Sequence, residues 1–234
     1  MQIPVKPMQF PRRFAFLWTW LLVFLFLSPG AGLALTPEDV VARIQAQYDK
    51  SGGFKAYFKQ ESRLKGRSQG DVAEGWVYFQ KPLKMRWQYE KPADQAKEVI
   101  SDGRQVWMYI PQDSVVMVYP LNQVLRSDLV MRFFSGMGQV RQDFHLSWHR
   151  PPQEGAALVI DLTPQKPQAE LKRLTLTVNP LNYQVEHLEF TNALGEETRF
   201  AFSRIQLDSK APPGFFTFSP PPGVQVINEM PGAG

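Results

Sequence analysis

The sequence predicts a mainly β protein in which one helix precedes a long antiparallel sheet. From Phe54 onward, apolar and polar residues alternate with a period of two, and turn residues recur roughly every eight to twelve residues, which is typical of a meandering sheet. Between Glu74 and Pro111, seven aromatic residues fall on three short predicted strands. Much of the predicted sheet therefore carries an apolar surface.

The alternation predicts eleven strands. They span residues 54–64, 71–80, 84–90, 97–101, 104–110, 114–119, 142–148, 157–163, 171–178, 183–190 and 197–206. The clearest hairpin signal is Asp102-Gly103, which we expect at the centre of a type I′ turn, where both residues have positive φ. A single sheet of so many twisted strands curls, and it then encloses more volume than its own side chains fill. The pattern therefore predicts an interior cavity.

Two segments have helical rather than strand periodicity. Thr36 suits an N-cap and Pro37 the first helical position, and the helix they begin ends before Ser51-Gly52-Gly53. Its apolar residues at helical spacing are Val40, Val41, Ile44 and Tyr48. This helix either closes one end of a core or forms a movable lid. A second helical segment is predicted from Leu121 to Met137, where apolar residues recur at spacings of three and four.

Strand alternation also predicts which side chains share a face. Met85, Trp87 and Tyr89 lie on one face, opposite the charged and polar residues between them. The apolar side continues through Phe144, Leu146, Trp148, Leu158, Ile160, Leu162, Leu174, Leu176 and Val178. The strands 104–110 and 114–119 are apolar on both faces, as expected where helices cover the second face or where the sheet closes on itself.

Residues 1–34 have the three parts of a cleavable secretory signal peptide. Lys6, Arg12 and Arg13 precede an apolar run of 14 residues, and Gly32-Leu33-Ala34 forms a small-x-small cleavage site. The run is short for a membrane span, although an uncleaved anchor is the alternative. We expect export to the periplasm, by the Sec or the twin-arginine route. Residues 35–230 are predicted to form one domain, and residues 231–234 a flexible tail.

Composition narrows the possible partners. The leader contains three basic and no acidic residues, so its removal lowers the net charge from +4 to +1. This balance argues against nucleic acid as a partner. The chain has no cysteine, and therefore no disulfide and no site for lipid attachment to its own cysteine. We expect a monomer.

The residues that catalysis would require do not cluster in the sequence. His145 and His149 share a strand face but would lie about 13 Å apart, too far to bind one metal ion. Ser135, in Phe-Ser-Gly-Met-Gly, lacks the first glycine of a nucleophile elbow. We therefore predict no metal, no cofactor and no enzymatic activity, and favour binding of an apolar ligand. A periplasmic hydrolase is the alternative.

Three stretches of sequence point to a family. They are Trp76 to Tyr89, with its Lys-Pro-Leu-Lys-Met-Arg-Trp core; Val99 to Tyr109, with Val-Ile-Ser-Asp-Gly and Val-Trp-Met-Tyr; and Phe216 to Val224, which reads Phe-Thr-Phe-Ser-Pro-Pro-Pro-Gly-Val. Together with the leader and the strand order, they resemble the LolA family of periplasmic carriers, which move lipoproteins from the inner to the outer membrane.

The resemblance implies a fold and a set of partners. The fold is an unclosed eleven-stranded antiparallel β-barrel, with a lid of short α-helices over an apolar cavity for lipoprotein acyl chains. The partners are lipoproteins, an ABC-type release complex in the inner membrane and a lipoprotein acceptor in the outer membrane. An outer-membrane acceptor of the same fold would itself be a lipoprotein, which the missing cysteine argues against. A regulatory or scaffold domain that senses lipids or lipoproteins is a further alternative.

The resemblance also implies the binding residues. Acyl-chain or lid contacts are expected from Ile44, Lys81, Met85, Trp87, Tyr89, Trp107 and Phe133. In the family, an arginine before the proline that follows the second strand holds the lid closed, and Lys81 occupies that place here. A lysine donates to carbonyl groups but lacks the rigid five-donor fork of arginine, so its role as a latch stays open, with a solvated strand end as the alternative. An ordinary core position is the alternative for Met85 and Trp87.

Overall fold

The structure is a computed structural model, and it describes residues 35–127, 140–167 and 171–228. The described residues from Thr36 onward belong to one compact unit. Within these ranges, no helix is both long enough and apolar enough to cross a lipid bilayer.

Twelve strands form one sheet, which confirms the prediction of a mainly β antiparallel fold. The strands are β1 (Gly53–Arg63), β2 (Asp71–Gln80), β3 (Lys84–Lys91), β4 (Lys97–Asp102), β5 (Gln105–Ile110), β6 (Val115–Pro120), β7 (Phe144–Trp148), β8 (Leu158–Pro164), β9 (Arg173–Val178), β10 (Val185–Thr191), β11 (Glu197–Leu207) and β12 (Gln225–Asn228). Their order across the sheet is β12-β6-β5-β4-β3-β2-β1-β11-β10-β9-β8-β7. β7 and β12 each pair on one side only within the described residues, so the sheet is open.

Apart from shifts of one or two residues at strand ends, the structure differs from the sequence prediction at three places. β12 was not predicted, because it has only four residues and pairs in parallel with β6, without a hairpin to signal it. Residues 142 and 143, predicted as the start of a strand, belong to a helical turn. The type I′ turn is wrong, because Asp102 ends β4 and only Gly103 has positive φ (97°). A single positive φ at the first central residue is the pattern of a type II′ turn.

Three α-helices are described. They are α1 (Pro37–Lys50), α2 (Leu121–Ser127) and α3 (Val140–Asp143). The prediction for α1 is confirmed at both ends: the Thr36 hydroxyl accepts a hydrogen bond from the backbone N–H of Asp39, and the Asp39 carboxylate accepts one from the backbone of Thr36, which forms a capping box. α2 is the first part of the second predicted helix, whose remainder lies outside the described residues.

The register of the strands defines two faces of the sheet. The inner face carries Phe58, Val77 and Trp87; Val77 and Trp87 are direct partners across β2 and β3. The outer face carries the alternate residues, among them Trp76 and Arg86. Burial of the inner face extends across both halves of the sheet, since Ile160, Leu162, Leu176 and Leu188 are completely buried. Burying one such side chain stabilises the fold by about 1.5–3 kcal/mol.

The outer face is covered where β4, β5 and β6 are apolar on both sides. Ile100, Trp107 and Val116 form a buried cluster there, and Phe218 and Val224 of the C-terminal segment pack against it. We define the C-terminal segment as residues 209–228. The sequence predicted that helices or closure of the sheet would cover this face, whereas residues of the C-terminal segment cover it in the structure.

A glycine in β2 sets how closely the aromatic residues of the inner face can approach. Gly75 lies between Phe58 on β1 and Tyr89 on β3, and the rings of these two residues are 5.0 Å apart. A Cβ atom at Gly75 would lie 1.8 Å from the backbone oxygen of Gln88. The neighbouring strand would have to move to accept a side chain.

We therefore expect Gly75→Ala to lower the free energy of unfolding by about 1–3 kcal/mol, the usual effect of overpacking. Gly52→Ala is the matched control, because a Cβ atom there meets nothing within 4 Å. Urea unfolding of both variants checks this expectation. A Gly75→Ala protein as stable as the control would contradict the packing described here.

Candidate apolar binding surface

A cluster of aromatic rings lies on the inner face where β1, β2, β3 and β11 meet. The ring of Phe58 contacts Trp87 and Tyr89, each at a centroid distance of 5.0 Å in an edge-to-face arrangement. Phe200 on β11 lies 5.5 Å from Trp87. Edge-to-face contacts at these distances are favourable beyond the area that they bury. We call Phe58, Phe79, Trp87, Tyr89 and Phe200 the inner aromatic cluster.

Helix α1 covers part of this face. Its apolar stripe is buried: Val40, Val41 and Ile44 are each at most 1% exposed. Near the end of the helix, the ring of Tyr48 lies 5.3 Å from Phe54, which stacks on Phe79 of the inner aromatic cluster. Burial raises the pKa of the Tyr48 phenol to about 12, although a backbone hydrogen bond with Val185 opposes this shift. α1 therefore contacts strands in both halves of the sheet.

Lys81 holds the end of α1. Its Nζ donates a 2.6 Å hydrogen bond to the backbone oxygen of Asp49, in the last turn of the helix. The Asp49 carboxylate lies 3.7 Å away, but both side chains are largely exposed, so this ion pair contributes little. A cation beside the carbonyl groups at a helix C-terminus also interacts favourably with the helix dipole and so stabilises the helix. Lys81 therefore contacts the backbone of the helix that covers the inner face.

The space beside Lys81 is small. A void of about 20 Å³ lies among Tyr48, Phe54, Phe79 and Leu83. This volume suits one water molecule rather than an acyl chain. A groove of about 580 Å³ lies on the outer face, between the C-terminal segment and the strand ends that carry Lys84, Asp102 and Arg104. Because charged residues line this groove, it is not suited to acyl chains.

The structure places the predicted site residues differently. Ile44, Met85, Trp87 and Tyr89 lie on the inner side, and Lys81 contacts α1 as described above. Trp107 lies on the outer face, where it packs against Phe218 at 6.3 Å, so it is separated from Trp87 by the sheet itself. Phe133 lies outside the described residues.

Three of the five aromatic side chains of the inner aromatic cluster were not among the predicted site residues. Phe58 and Phe79 pack against Trp87 and are almost fully buried, as is Phe200. The signal that could have identified them is the alternation in β1 and β11, which has the same period as that in β3. It places Phe54, Ala56 and Phe58 on one side, as it does Phe200 and Phe202.

The titratable residues do not assemble a metal site in the part of the chain that the structure describes, where no three His, Cys, Asp or Glu side chains converge. His149 Nδ1 lies 3.0 Å from the Asp161 carboxylate, and Thr175 donates a 2.6 Å hydrogen bond to the same carboxylate. These residues lie on the outer face of β7, β8 and β9. Burial lowers the pKa of His187, which also lies on the outer face.

The structure defines a class of mainly β proteins in which an open, largely antiparallel sheet has an apolar inner face beneath a helix. Comparison with known proteins identifies the group within that class. The family model described as "Outer membrane lipoprotein carrier protein LolA" matches residues 49–219. The chain belongs to this family of lipoprotein carriers.

Individual relatives agree with this assignment. An outer-membrane lipoprotein carrier protein of Nitrosospira multiformis is 31% identical over 88% of this chain and 96% of its own. One from Chromobacterium violaceum is 25% identical over 85% of this chain and 93% of its own. The crystal structure of an uncharacterized conserved protein from Thermus thermophilus matches with a TM-score of 0.53, at 14% identity, over 82% of this chain and 98% of that chain. This structural match supports the fold alone.

The raised pKa of Tyr48 gives a pH-dependent test of the contact between α1 and the sheet. A phenol whose pKa is higher in the folded than in the unfolded protein stabilises the fold below the unfolded pKa, and this contribution is lost as pH rises from about 10 through about 12. We expect Tyr48→Phe to reduce the loss of stability between pH 9 and pH 11 by an amount on the order of 1 kcal/mol. Urea unfolding at both pH values measures it. An unchanged pH dependence would show that the Tyr48 side chain is not buried between α1 and the sheet.

Proposed function

We propose that this protein is a periplasmic carrier that shields the acyl chains of lipoproteins on the inner face of its sheet. Residues 1–34 would be removed on export, leaving residues 35–230 as the carrier domain. The observation that carries the proposal is the inner aromatic cluster, which is wide, apolar and covered by a helix rather than by a second sheet. Family membership supplies the class of cargo.

The energetics of transfer favour such a cover. An acyl chain of about 15 methylene groups left in water costs on the order of 12 kcal/mol, at about 0.8 kcal/mol for each group. A lipoprotein therefore cannot leave a membrane at a useful rate without an apolar surface that accepts its chains. The inner aromatic cluster and the aliphatic side chains beside it offer such a surface.

Loading requires α1 to move, because the void described beside it holds no more than a water molecule. Val40, Val41 and Ile44 would lose their buried contacts, at a cost of about 1.5–3 kcal/mol each. Their combined cost is smaller than the gain from covering one acyl chain. Cargo can therefore displace α1, and α1 can displace cargo when a better acceptor is available. Such intermediate affinity suits a carrier between two membranes.

Lys81 is proposed to secure the C-terminal end of α1 in the empty carrier, through its hydrogen bond to the Asp49 carbonyl group. We propose that an ABC-type release complex in the inner membrane supplies the lipoprotein, and that an outer-membrane acceptor receives it. Neither step requires a nucleotide or a cofactor on this chain.

Trp87 provides the direct test of the inner surface. We expect Trp87→Glu to reduce the amount of lipoprotein released from inner-membrane vesicles by at least about tenfold, because a charge would lie where the acyl chains bind. The measurement is the lipoprotein that co-purifies with the carrier after incubation with vesicles that contain the release complex. A lipoprotein whose acylated cysteine is replaced by serine shows the background.

The matched control is Trp76→Glu, which places the same change on the outer face of the neighbouring strand. It should release lipoprotein as the unaltered protein does. Should Trp87→Glu fail to fold, Tyr89→Ala tests the same surface at a half-buried position. Normal release by the folded inner-face variants, or equal loss in the Trp76 control, would count against the proposed binding surface.

A further inference from the structure

A second contact holds α1 from the opposite half of the sheet. Arg43, on the exposed side of α1, lies over the ring of Tyr183 at 4.9 Å, and its guanidinium donates a hydrogen bond to the Tyr183 hydroxyl. Tyr183 belongs to the turn between β9 and β10, whereas Lys81 follows β2. The helix is therefore tied to one turn on each side of the central β1–β11 pair.

The turn that carries Tyr183 has an unusual backbone. Tyr183 has a φ of 55°, a left-handed conformation that is uncommon for a residue with a bulky side chain. Hydrogen bonds within the turn support it: the Tyr183 N–H donates to the Asn179 carbonyl oxygen at 2.9 Å, and the Asn179 side chain accepts from the Leu181 N–H at 2.9 Å. In this conformation the ring lies under Arg43. Residues held in such sparsely populated conformations are frequent at clamps and switches.

Arg43 has few competing partners. Among the described residues, no carboxylate forms a salt bridge with it, so the aromatic ring and the hydroxyl of Tyr183 are its main interactions. A guanidinium that stacks on a ring and also donates to its hydroxyl makes a directional contact, which ends once the helix moves by a few ångströms.

The chain after α1 is fixed, and it supplies a pivot. The Gly52 N–H donates to the Asp208 carboxylate at 3.1 Å, and the Asp208 N–H donates to the Ser51 hydroxyl at 3.2 Å. The Lys81 N–H donates to the Gly52 carbonyl oxygen at 3.1 Å. If α1 leaves the sheet as a rigid helix, it therefore rotates about Ser51 and Gly52.

The two contacts lie at different distances from this pivot. With a helical rise of about 1.5 Å per residue, Asp49 is about 3 Å from Ser51 and Arg43 is about 12 Å away. A rotation that separates Arg43 from Tyr183 by about 4 Å moves Asp49 by only about 1 Å. The Lys81 hydrogen bond could therefore persist through a small opening that breaks the Arg43 contact.

We infer that Arg43 and Tyr183 form the latch that controls the opening of α1, and that Lys81 mainly secures its pivot. Arg43 and Tyr183 are thus positioning residues: they hold the helix over the inner aromatic cluster. This inference rests on the proposed function only for its biological meaning, because the opening of α1 can be measured without any cargo.

The absence of native cysteines allows a clean distance measurement. Spin labels are placed at Ala46→Cys on α1 and Ser203→Cys on β11, both exposed positions. Pulsed electron paramagnetic resonance then records the distribution of distances between them. We expect Arg43→Ala and Tyr183→Leu each to increase, about tenfold, the fraction of molecules whose label-to-label distance differs from that of the closed protein. This is the effect of losing one charge-assisted contact. The double variant should open no further than either single variant, because one contact is lost in all three.

Two comparisons make the result specific. Arg204→Ala is the matched control: it removes an arginine that lies 5.2 Å over the ring of Tyr57 on the outer face, with no contact to α1, and should leave the distances unchanged. Lys81→Ala should open the helix less than Arg43→Ala does. Tyr183→Phe, which retains the ring and loses the hydroxyl, should give an intermediate effect and serves if the leucine variant does not fold.

Unchanged distances in the Arg43 and Tyr183 variants would overturn the inference, as would additive effects in the double variant or a larger opening in Lys81→Ala. If the helix opens as expected but acyl chains still fail to bind, the latch stands and the proposed carrier function fails. If lipoprotein release is normal but the distances do not change, the carrier function stands and the latch fails.

Discussion

The rest of the structure depends on one constraint: the wide aromatic surface of the inner face, which centres on the contact between Phe58 and Trp87, has to be kept from water. A closed barrel would fill that space with its own side chains, but this sheet is open and its two edges do not pair with each other within the described residues. A covering element is therefore required. α1 supplies part of that cover, and its buried stripe of Val40, Val41 and Ile44 replaces what a second sheet would contribute in a sandwich.

The two faces of the sheet are covered in different ways, and the difference bears on function. On the outer face, Arg86 pairs with Glu98 and donates to the Phe215 carbonyl oxygen, while β12 joins the sheet through backbone pairing with β6. On the inner face, α1 is held largely by side chains, through Lys81, Arg43 and Tyr48. Backbone pairing makes the first cover part of the fold. Because side-chain contacts hold the second cover, the proposed function assigns displacement by acyl chains to α1 rather than to the C-terminal segment.

Local patterns predicted most of the fold, and long-range contacts account for what they missed. The positions of Met85 and Trp87 on one face follow from alternation within a single strand, and the start of α1 follows from the capping residues around Thr36. The strand that carries Trp107 is apolar on both faces, so alternation could not determine on which face of the sheet Trp107 lies. The C-terminal segment, more than 100 residues later, packs against that face and accounts for its burial. The contact of Lys81 with Asp49 likewise depends on where α1 crosses the sheet. For the same reason, nothing in the local sequence indicates that Tyr183 reaches Arg43.

The most direct measurement of the central claim uses tryptophan fluorescence with a lipoprotein whose acyl chains carry bromine, which quenches the fluorescence of rings in contact with it. Two proteins are compared, one retaining only Trp87 of the tryptophans in residues 35–230 and the other only Trp107. These rings lie on opposite faces of the same sheet. We predict strong quenching of Trp87 and none of Trp107. Quenching of Trp107 alone, or of neither ring when the lipoprotein is bound, would contradict an acyl-chain site on the inner face.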